Sequence, residues 1–199
     1  VFGPPEIAAI WRQFCEMMRF DITIRIADEG RVPFAKMAQI TIVDAKTPDP
    51  IRLVDENDLT VSAMRNDHPP VVDSYALRFD AGGKSITFSG DTRYLPSLAV
   101  FAKNSDILVH EAMLAKGLDH VLAKTRTSDD RLKNHLLAAH SFAEQAGQIA
   151  AAANVGHLVL NHLIPPERDI CNDADWQAEA VRSYDGRCSV GHDGMAIEL

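Results

Sequence analysis

The chain has 199 residues, of which 46% are hydrophobic, and this is enough for one sizeable domain with a buried core. Its formal net charge of -8 at pH 7 argues against a generic nucleic-acid-binding or anionic-membrane surface, although a cleft that held metal ions would supply its own positive field. The three cysteines are scattered, which excludes a disulfide framework and a C-x-x-C zinc knuckle. No run approaches the roughly 18 apolar residues of a membrane span. We therefore expect no membrane partner and favour the cytoplasm as location.

The first part of the chain predicts one helix followed by strands. Pro4 and Pro5 precede apolar residues that recur at helical spacing from Ile7 to Met18. Strict alternation of apolar and polar residues over 20–26 then predicts a half-buried strand. Further strands are predicted around 39–43, 51–54, 59–65, 74–80 and 85–89, and the glycines of 81–84 predict a hairpin between the last two.

After Asp91 the pattern changes to alternating helices and strands. Residues 117–133 are polar and poorly periodic, which predicts a surface loop. Ser141 and Glu144 have the S-x-x-E spacing of a capping box, so we expect a helix from there to about Ala153. The other predicted elements are helices over 95–102 and 175–184 and strands over 107–109, 157–161, 187–190 and 195–199.

Three of the predicted strands end on a residue that can bind a metal ion or transfer a proton. One strand runs into Asp91, one into His110 and Glu111, and one into His162. In layered α/β folds, ligands bind at the carboxyl ends of strands, where side chains converge from separate elements. Two imidazoles and two carboxylates gathered in this way predict a hydrolytic metal site.

His68 and His140 supply two more candidates. His68 follows a predicted strand and precedes two prolines, which limit the freedom of the backbone. His140 comes just before a helix N-terminus, where the helix dipole disfavours the imidazolium form. It could still act as a general acid beside a bound phosphate or oxyanion. We assign no role to His135, because helical geometry would not aim it and His140 at one point. His120, His157 and His192 are also treated as structural.

Each candidate has a structural alternative. Asp91 could be the N-cap of the helix that follows it, because aspartate is a preferred cap. His110 and Glu111 could form a buried hydrogen bond that fixes a turn. His140 could be a simple helix-entry residue. For His162, its place among several strand-end candidates favours a metal ligand over a structural histidine.

Five segments occur in a fixed order between about residues 60 and 165. They are Asn66-Asp67-His68-Pro69-Pro70 with Tyr75–Phe79, Phe88–Thr92, Leu108–Ala112, His140–Ala146 and Leu158–His162. Together they resemble the metallo-β-lactamase superfamily, in the branch that includes ribonuclease Z and related arylsulfatase-like and lactonase-like hydrolases. The resemblance implies an α/β fold, the four-layer αββα sandwich, of which this chain would be the C-terminal portion as a single domain over 1–199.

The resemblance also implies a dinuclear zinc site, in which two ions about 3.5–4 Å apart clamp the scissile group and activate a water. Manganese or iron would also suit histidine and aspartate ligands. The implied metal ligands are His68 for one ion, Asp91 bridging both and His162 for the other. The implied catalytic residues are His140 as proton donor, with His110 and Glu111 supporting it.

The chain departs from the family pattern in three places. The motif H-x-H-x-D-H is absent, and in the family it precedes the stretch that Val1–Pro5 resembles, so we expect the N-terminal part of the fold to be missing here. Residues Pro69–Gly90 are too few for the long substrate arm of transfer-RNA-processing members. Phe142 stands where the family usually has threonine.

These features predict a metal-dependent hydrolase of a small ester, phosphodiester, sulfate ester or lactone. The short Pro69–Gly90 segment and the acidic charge disfavour nucleic acid as a partner. A ribonuclease Z-like RNA endonuclease is the alternative enzyme, and a non-catalytic scaffold remnant is the alternative of another class. A homodimer is compatible with all three.

Overall fold

The computed structural model describes residues 1–44, 49–124 and 130–199. The chain forms two compact units, residues 1–46 and 47–199. Among the described residues, no helix combines the length and the apolar character that a membrane crossing requires.

The first unit consists of two helices, a short 3-10 helix and a two-stranded parallel sheet. An aromatic cluster lies within it, in which the ring of Trp11 lies 5.1 Å from that of Phe34 and 6.0 Å from that of Phe14, between centroids. The first helix predicted from the sequence is confirmed. The elements are β1 (Phe2–Gly3), α1 (Ile7–Met17), α2 (Arg19–Glu29), the 3-10 helix Phe34–Lys36 and β2 (Thr41–Ile42).

The strand predicted over 20–26 is wrong, because this segment is helix α2. Arg25 pairs with Asp21 at 2.8 Å and with Glu29 at 3.2 Å, one helical turn away on either side. Such pairs support a helix, whereas alternate residues of a strand would not bring these charges together in this way. Gly30 then ends the helix in the left-handed conformation, with φ of 66°.

The second unit is built on one seven-stranded sheet whose strands lie side by side in chain order. Strands β3 to β6 form an antiparallel meander, and strands β6 to β9 are parallel to one another. The predicted hairpin at 81–84 is confirmed. The strands are β3 (Ile51–Glu56), β4 (Leu59–Arg65), β5 (Tyr75–Ala81), β6 (Lys84–Phe88), β7 (Ile107–Met113), β8 (His157–Ile164) and β9 (Arg187–Val190).

Helices connect the parallel strands, since such strands require crossover connections. They are α3 (Ser97–Phe101), α4 (Ala115–Lys124), α5 (Arg131–Ala139), α6 (Ala143–Ala153) and α7 (Asp173–Ala180). Helix α6 packs against α3, α7 and strands β7 and β8. The core between sheet and helices includes the buried side chains of Leu98, Leu108, Ile149, Leu158, Leu160 and Trp176.

Three local predictions are wrong. Residues 117–133 are not a surface loop, because 117–124 belong to α4 and 131–133 to α5, while 125–129 lie outside the described residues. Residues 195–199, all described, form no strand. Ser141 does not cap α6. The N-cap is Phe142, whose N–H donates to Gln145 Oε1 at 2.8 Å.

The α/β class is confirmed by this mixed sheet and its helices. The sheet and the layer of α3, α6 and α7 account for two adjacent layers of an αββα sandwich. The single domain predicted over 1–199 stays a prediction.

Candidate metal centre

The strand directions bring most of the predicted site residues to one edge of the sheet. Strands β6, β7 and β8 are parallel, and β4 runs the same way because both β4 and β6 are antiparallel to β5. Their carboxyl ends therefore lie on one side. His68 and Asp91 follow β4 and β6, while Glu111 and His162 lie near the ends of β7 and β8.

Asp91 and His162 form a pair at this edge, with 3.4 Å between Oδ2 and Nε2, and both side chains are partly exposed. His162 is an extra residue in β8, where the register with β7 shifts, and its φ is 41°. Such a bulge redirects a side chain and often lies beside an active site. Gly90 has φ of 60°, and a Cβ there would lie 2.6 Å from the carbonyl oxygen of Tyr75. The turn that carries Asp91 therefore lies in close contact with the start of β5.

Glu111 is buried and accepts three hydrogen bonds at one oxygen. Its Oε1 lies 3.1 Å from Nδ1 of His140, 2.9 Å from the N–H nitrogen of Thr92 and 3.3 Å from that of Ser141. Burial lowers the pKa of His140, but the hydrogen bond and charge of Glu111, together with the charge of Asp91, outweigh it and raise the pKa. The pKa of His140 is therefore raised overall, although the sequence predicted that the helix dipole would disfavour its imidazolium form.

His68 lies against the junction of α5 and α6. Its Nδ1 donates to the carbonyl oxygen of Ala139 at 3.1 Å, and its ring centroid is 5.0 Å from that of His140. His135 joins these two, so that one ring nitrogen from each histidine lies within 4.8 Å of the others. The prediction that His135 and His140 would not meet is wrong, because α5 ends at Ala139 and His140 is extended.

The ring of His140 also stacks on that of His162, with centroids 5.6 Å apart and planes at 22°. This contact links the imidazoles to the Asp91 pair. The residues so connected, which we name the strand-end cluster, are His68, Asp91, Glu111, His135, His140 and His162.

His110 is the one predicted site residue whose side chain does not join the strand-end cluster. Consecutive strand residues point to opposite faces, so His110 and Glu111 diverge. The His110 Nδ1–H donates to the Glu111 carbonyl oxygen at 2.7 Å. Among the described residues, no hydrogen bond, ion pair or ring contact joins its ring to a side chain of the cluster. Burial lowers the pKa of His110, and its catalytic role stays a prediction.

Several polar residues to which the sequence analysis gave no role in the site hold the cluster in place. Asn66 is buried and its Nδ2 donates to the carbonyl oxygens of Ser89 at 2.7 Å and Asp91 at 3.1 Å. The Ser141 hydroxyl donates to the carbonyl oxygen of Thr92 at 2.7 Å. These bonds tie the turn that carries Asp91 to the ends of β4 and α5. The only sequence signal was that each residue lies beside a candidate.

The chemistry of the cluster fits a bound metal. Imidazole nitrogen and carboxylate oxygen are ligands that zinc accepts. In His68 and His140, Nδ1 is already bonded to an oxygen acceptor, which leaves Nε2 with a free lone pair. Metal-binding histidines usually have this arrangement, in which the second nitrogen donates to a carbonyl or carboxylate.

Comparisons with known proteins agree with this picture. No family model matches the chain. A ribonuclease Z of Mycobacterium tuberculosis strain H37Rv is 27% identical over 207 residues, covering all of this chain and 68% of that protein. A ribonuclease Z of Mycobacterium avium strain 104 is 28% identical over 199 residues and is covered to 66%. The chain thus spans about two thirds of the length of these relatives.

Solved structures show the same fold. The metallo-β-lactamase fold protein YhfI of Bacillus subtilis matches 87% of this chain with a TM-score of 0.57 and 22% identity, over 62% of its own length. The short form of human tRNase Z matches 99% of the chain with a TM-score of 0.60 and 16% identity, over 66% of its length. Zn(2+)-bound PqqB of Methylobacterium extorquens matches all of it with a TM-score of 0.62 and 17% identity, over 61% of its length. The chain therefore has the metallo-β-lactamase fold, and its sequence resembles the ribonuclease Z branch of that superfamily.

Proposed function

We propose that this chain carries part of the active site of a metal-dependent hydrolase that cleaves phosphodiester or related ester bonds. The observation that carries the proposal is the strand-end cluster itself. Four imidazoles and two carboxylates from separate segments meet at one edge of the sheet. Such convergence favours a functional site, because ionisable groups that perturb one another cluster at such sites.

We assign His68, Asp91 and His162 as the residues that would hold the metal, for which zinc is the expected ion. When bound, the metal would supply Lewis-acid stabilisation of the scissile group and an activated water. The bulge at His162 and the tight turn at Gly90 hold Nε2 and the Asp91 carboxylate near each other at 3.4 Å. Preorganised ligands of this kind need little rearrangement to accept a cation.

We assign His140 as the proton donor to the leaving oxygen and Glu111 as the group that orients it. Glu111 holds Nδ1 of His140 at 3.1 Å, so the opposite ring nitrogen, Nε2, is the one available for proton transfer. The raised pKa of His140 increases the protonated fraction near neutral pH, which suits a general acid. The backbone N–H groups of Thr92 and Ser141 donate to Glu111 and fix its carboxylate, which in turn orients the His140 ring.

For the substrate we favour a small ester-type molecule. Within residues 69–90, most of the chain is used by strands β5 and β6, whose hairpin turn is short. Only residues 69–74 of the segment precede the hairpin, which is too little chain for a long substrate arm. A groove of about 830 Å³ opens beside His162, and its lining includes Asn161, Arg168 and His192.

An RNA endonuclease activity is the second candidate. The relatives named ribonuclease Z match the whole of this chain, and this is the observation that favours it. The net charge of -8 weighs against it, because contacts with the phosphate backbone dominate RNA affinity.

The test compares substrates on the zinc-loaded protein and on its Asp91→Asn variant. Bis(4-nitrophenyl) phosphate, an aryl sulfate, a lactone and a transfer-RNA precursor are supplied in parallel. Turnover of a small substrate that Asp91→Asn abolishes supports the leading proposal. Cleavage of the RNA alone supports the second candidate. A zinc-loaded protein that hydrolyses none of them would overturn both and favour a non-catalytic scaffold.

A further inference from the structure

We propose that His68, His135 and His140 form a binding site for one zinc ion, the three-imidazole site, which shares His68 with the ligand set proposed above. This inference goes beyond the proposed function, because it gives a role to His135 and requires neither Asp91 nor His162. One ring nitrogen of each histidine lies within 4.8 Å of the other two. The three ring centroids are separated by 5.0, 5.8 and 5.8 Å, so that each ring contacts both of the others.

The hydrogen bonds of the site select the ring nitrogens that face the ion. Nδ1 of His68 donates to a backbone carbonyl oxygen, and Nδ1 of His140 donates to the Glu111 carboxylate. Nε2 of each ring is thereby left as a lone-pair donor. Among the described residues, no hydrogen bond or ion pair engages the His135 ring, so either of its nitrogens is available.

The backbone explains why these imidazoles meet. His135 lies in the last turns of α5, and the helix stops at Ala139. His140 has extended backbone angles, φ -123° and ψ 159°, which turn its side chain back beside the helix end. His68 is held against the same end by its bond to Ala139.

The geometry is close to what zinc requires. Zinc–nitrogen bonds of about 2.0–2.1 Å in a tetrahedral site place ligand nitrogens roughly 3.4 Å apart. The set of ring nitrogens that lies within 4.8 Å, one from each histidine, must therefore close by no more than about 1.4 Å. The half-buried His135 side chain can approach the other two rings by rotating about its own bonds, without a change in the backbone.

Charge and chemistry favour zinc as the ion. Three neutral imidazoles carry no charge, and imidazole suits zinc better than magnesium or calcium. The buried Glu111 carboxylate, hydrogen-bonded to His140, places a negative charge just behind the ligands. Because Nε2 of His140 is the same nitrogen that would donate a proton, occupancy of the three-imidazole site and proton donation by His140 exclude each other.

The test measures metal binding rather than activity. The protein is stripped with a chelator and titrated with Zn²⁺ by calorimetry and with Co²⁺ by visible absorption, in wild type and in the variants His135→Asn, Asp91→Asn and His192→Asn. His192 lines the groove beside His162 but lies outside the strand-end cluster, so it controls for loss of a nearby imidazole that is not a proposed ligand. Circular dichroism verifies that each variant is folded.

We expect His135→Asn to lose about one equivalent of tightly bound metal, while Asp91→Asn and His192→Asn retain that equivalent with its Co²⁺ absorption bands. Folded His135→Asn protein that binds Zn²⁺ with wild-type stoichiometry and affinity would overturn the three-imidazole site. The proposed function fails in a different way, namely if Asp91→Asn leaves hydrolysis intact.

Discussion

The Nδ1 atom of His140 lies 3.1 Å from Oε1 of Glu111, and the two side chains are only 5% and 1% exposed. Burial strengthens this interaction, because little water screens it. The pair connects strand β7 to the segment between α5 and α6. The orientation of the His140 ring therefore depends on a carboxylate 29 residues away in the sequence.

Replacing Glu111 by glutamine should lower the pKa of His140, because the side chain keeps its shape and loses its charge. If His140 donates a proton, hydrolysis should fall by about 10- to 100-fold and the alkaline limb of the pH–rate profile should move to lower pH. The ring titration of His140, followed by NMR in metal-free protein, measures the shift directly.

The matched control is Glu198→Gln, which removes an exposed carboxylate outside the strand-end cluster. It should leave the His140 titration and the pH–rate profile unchanged. An unaltered His140 titration in Glu111→Gln would show that the pair does not set the pKa.

Replacing Asp91 by asparagine should weaken metal binding and leave the stability of the metal-free protein almost unchanged. Because Asp91 and His162 are 39% and 47% exposed, their pair should contribute only about 0–1 kcal/mol to the free energy of unfolding. We expect urea denaturation of the metal-free variant to resemble wild type, while zinc content measured by elemental analysis falls. Retention of all bound zinc would contradict the assignment of Asp91 as a metal ligand.

Replacing Gly90 by alanine should damage the site through the backbone. The new Cβ would lie 2.6 Å from the Tyr75 carbonyl oxygen and 2.9 Å from Nδ2 of Asn66, in a residue with φ of 60°. We expect a loss of about 1–3 kcal/mol in the free energy of unfolding from strain, together with weaker zinc binding because Asp91 shifts.

Gly82→Ala is the control for Gly90→Ala, since Gly82 has φ of 57° and no atom within 4 Å of the added Cβ among the described residues. It carries the same kind of backbone strain without the clash, so it should lower stability less and leave zinc affinity as in wild type. Equal loss of zinc affinity in both variants would mean that the turn at Gly90 does not position Asp91.

Metal-free protein should lose stability on acidification below about pH 6.5, because burial lowers the pKa of His110 in the folded state. Between that lowered pKa and 6.5, the unfolded chain binds a proton that the folded chain does not. Each such group reduces the free energy of unfolding by up to about 1.4 kcal/mol per pH unit. Burial, assisted by Arg187, lowers the pKa of His157 and acts in the same direction.

Urea denaturation from pH 5 to 8 checks this, with His110→Asn as the variant. The variant should have a shallower slope below pH 6.5, whatever its absolute stability, and an unchanged slope above it. His140 affects stability at higher pH. Because its pKa is raised in the folded state, it contributes stability that is complete below about pH 6.5 and is lost as the pH rises through the folded-state pKa. A variant slope equal to that of wild type below pH 6.5 would contradict a buried neutral His110.

Local patterns predicted most elements of residues 47–199, because hydrophobic periodicity and turn glycines act over short distances. The hairpin between β5 and β6, helix α6 and strands β7 and β8 follow from such patterns. The strand prediction for residues 20–26 was wrong because alternating apolar residues also lie four apart, which is the spacing of a helix face. The four-residue spacing of Arg25 from Asp21 and from Glu29, whose side chains pair in the structure, was the sequence signal that favoured a helix over a strand.

Short-range patterns and residue chemistry were enough to predict the class of the fold and which strands end in metal-type or acid–base side chains. Which of those side chains meet became clear from the packing of strands and helices. The packing added His135, because the end of α5 at Ala139 turns His140 back toward it, and it separated His110 from Glu111, because adjacent strand residues face opposite ways. Contacts between residues such as Glu111 and His140 arise from how strands and helices pack, and no local pattern in the sequence encodes that distance.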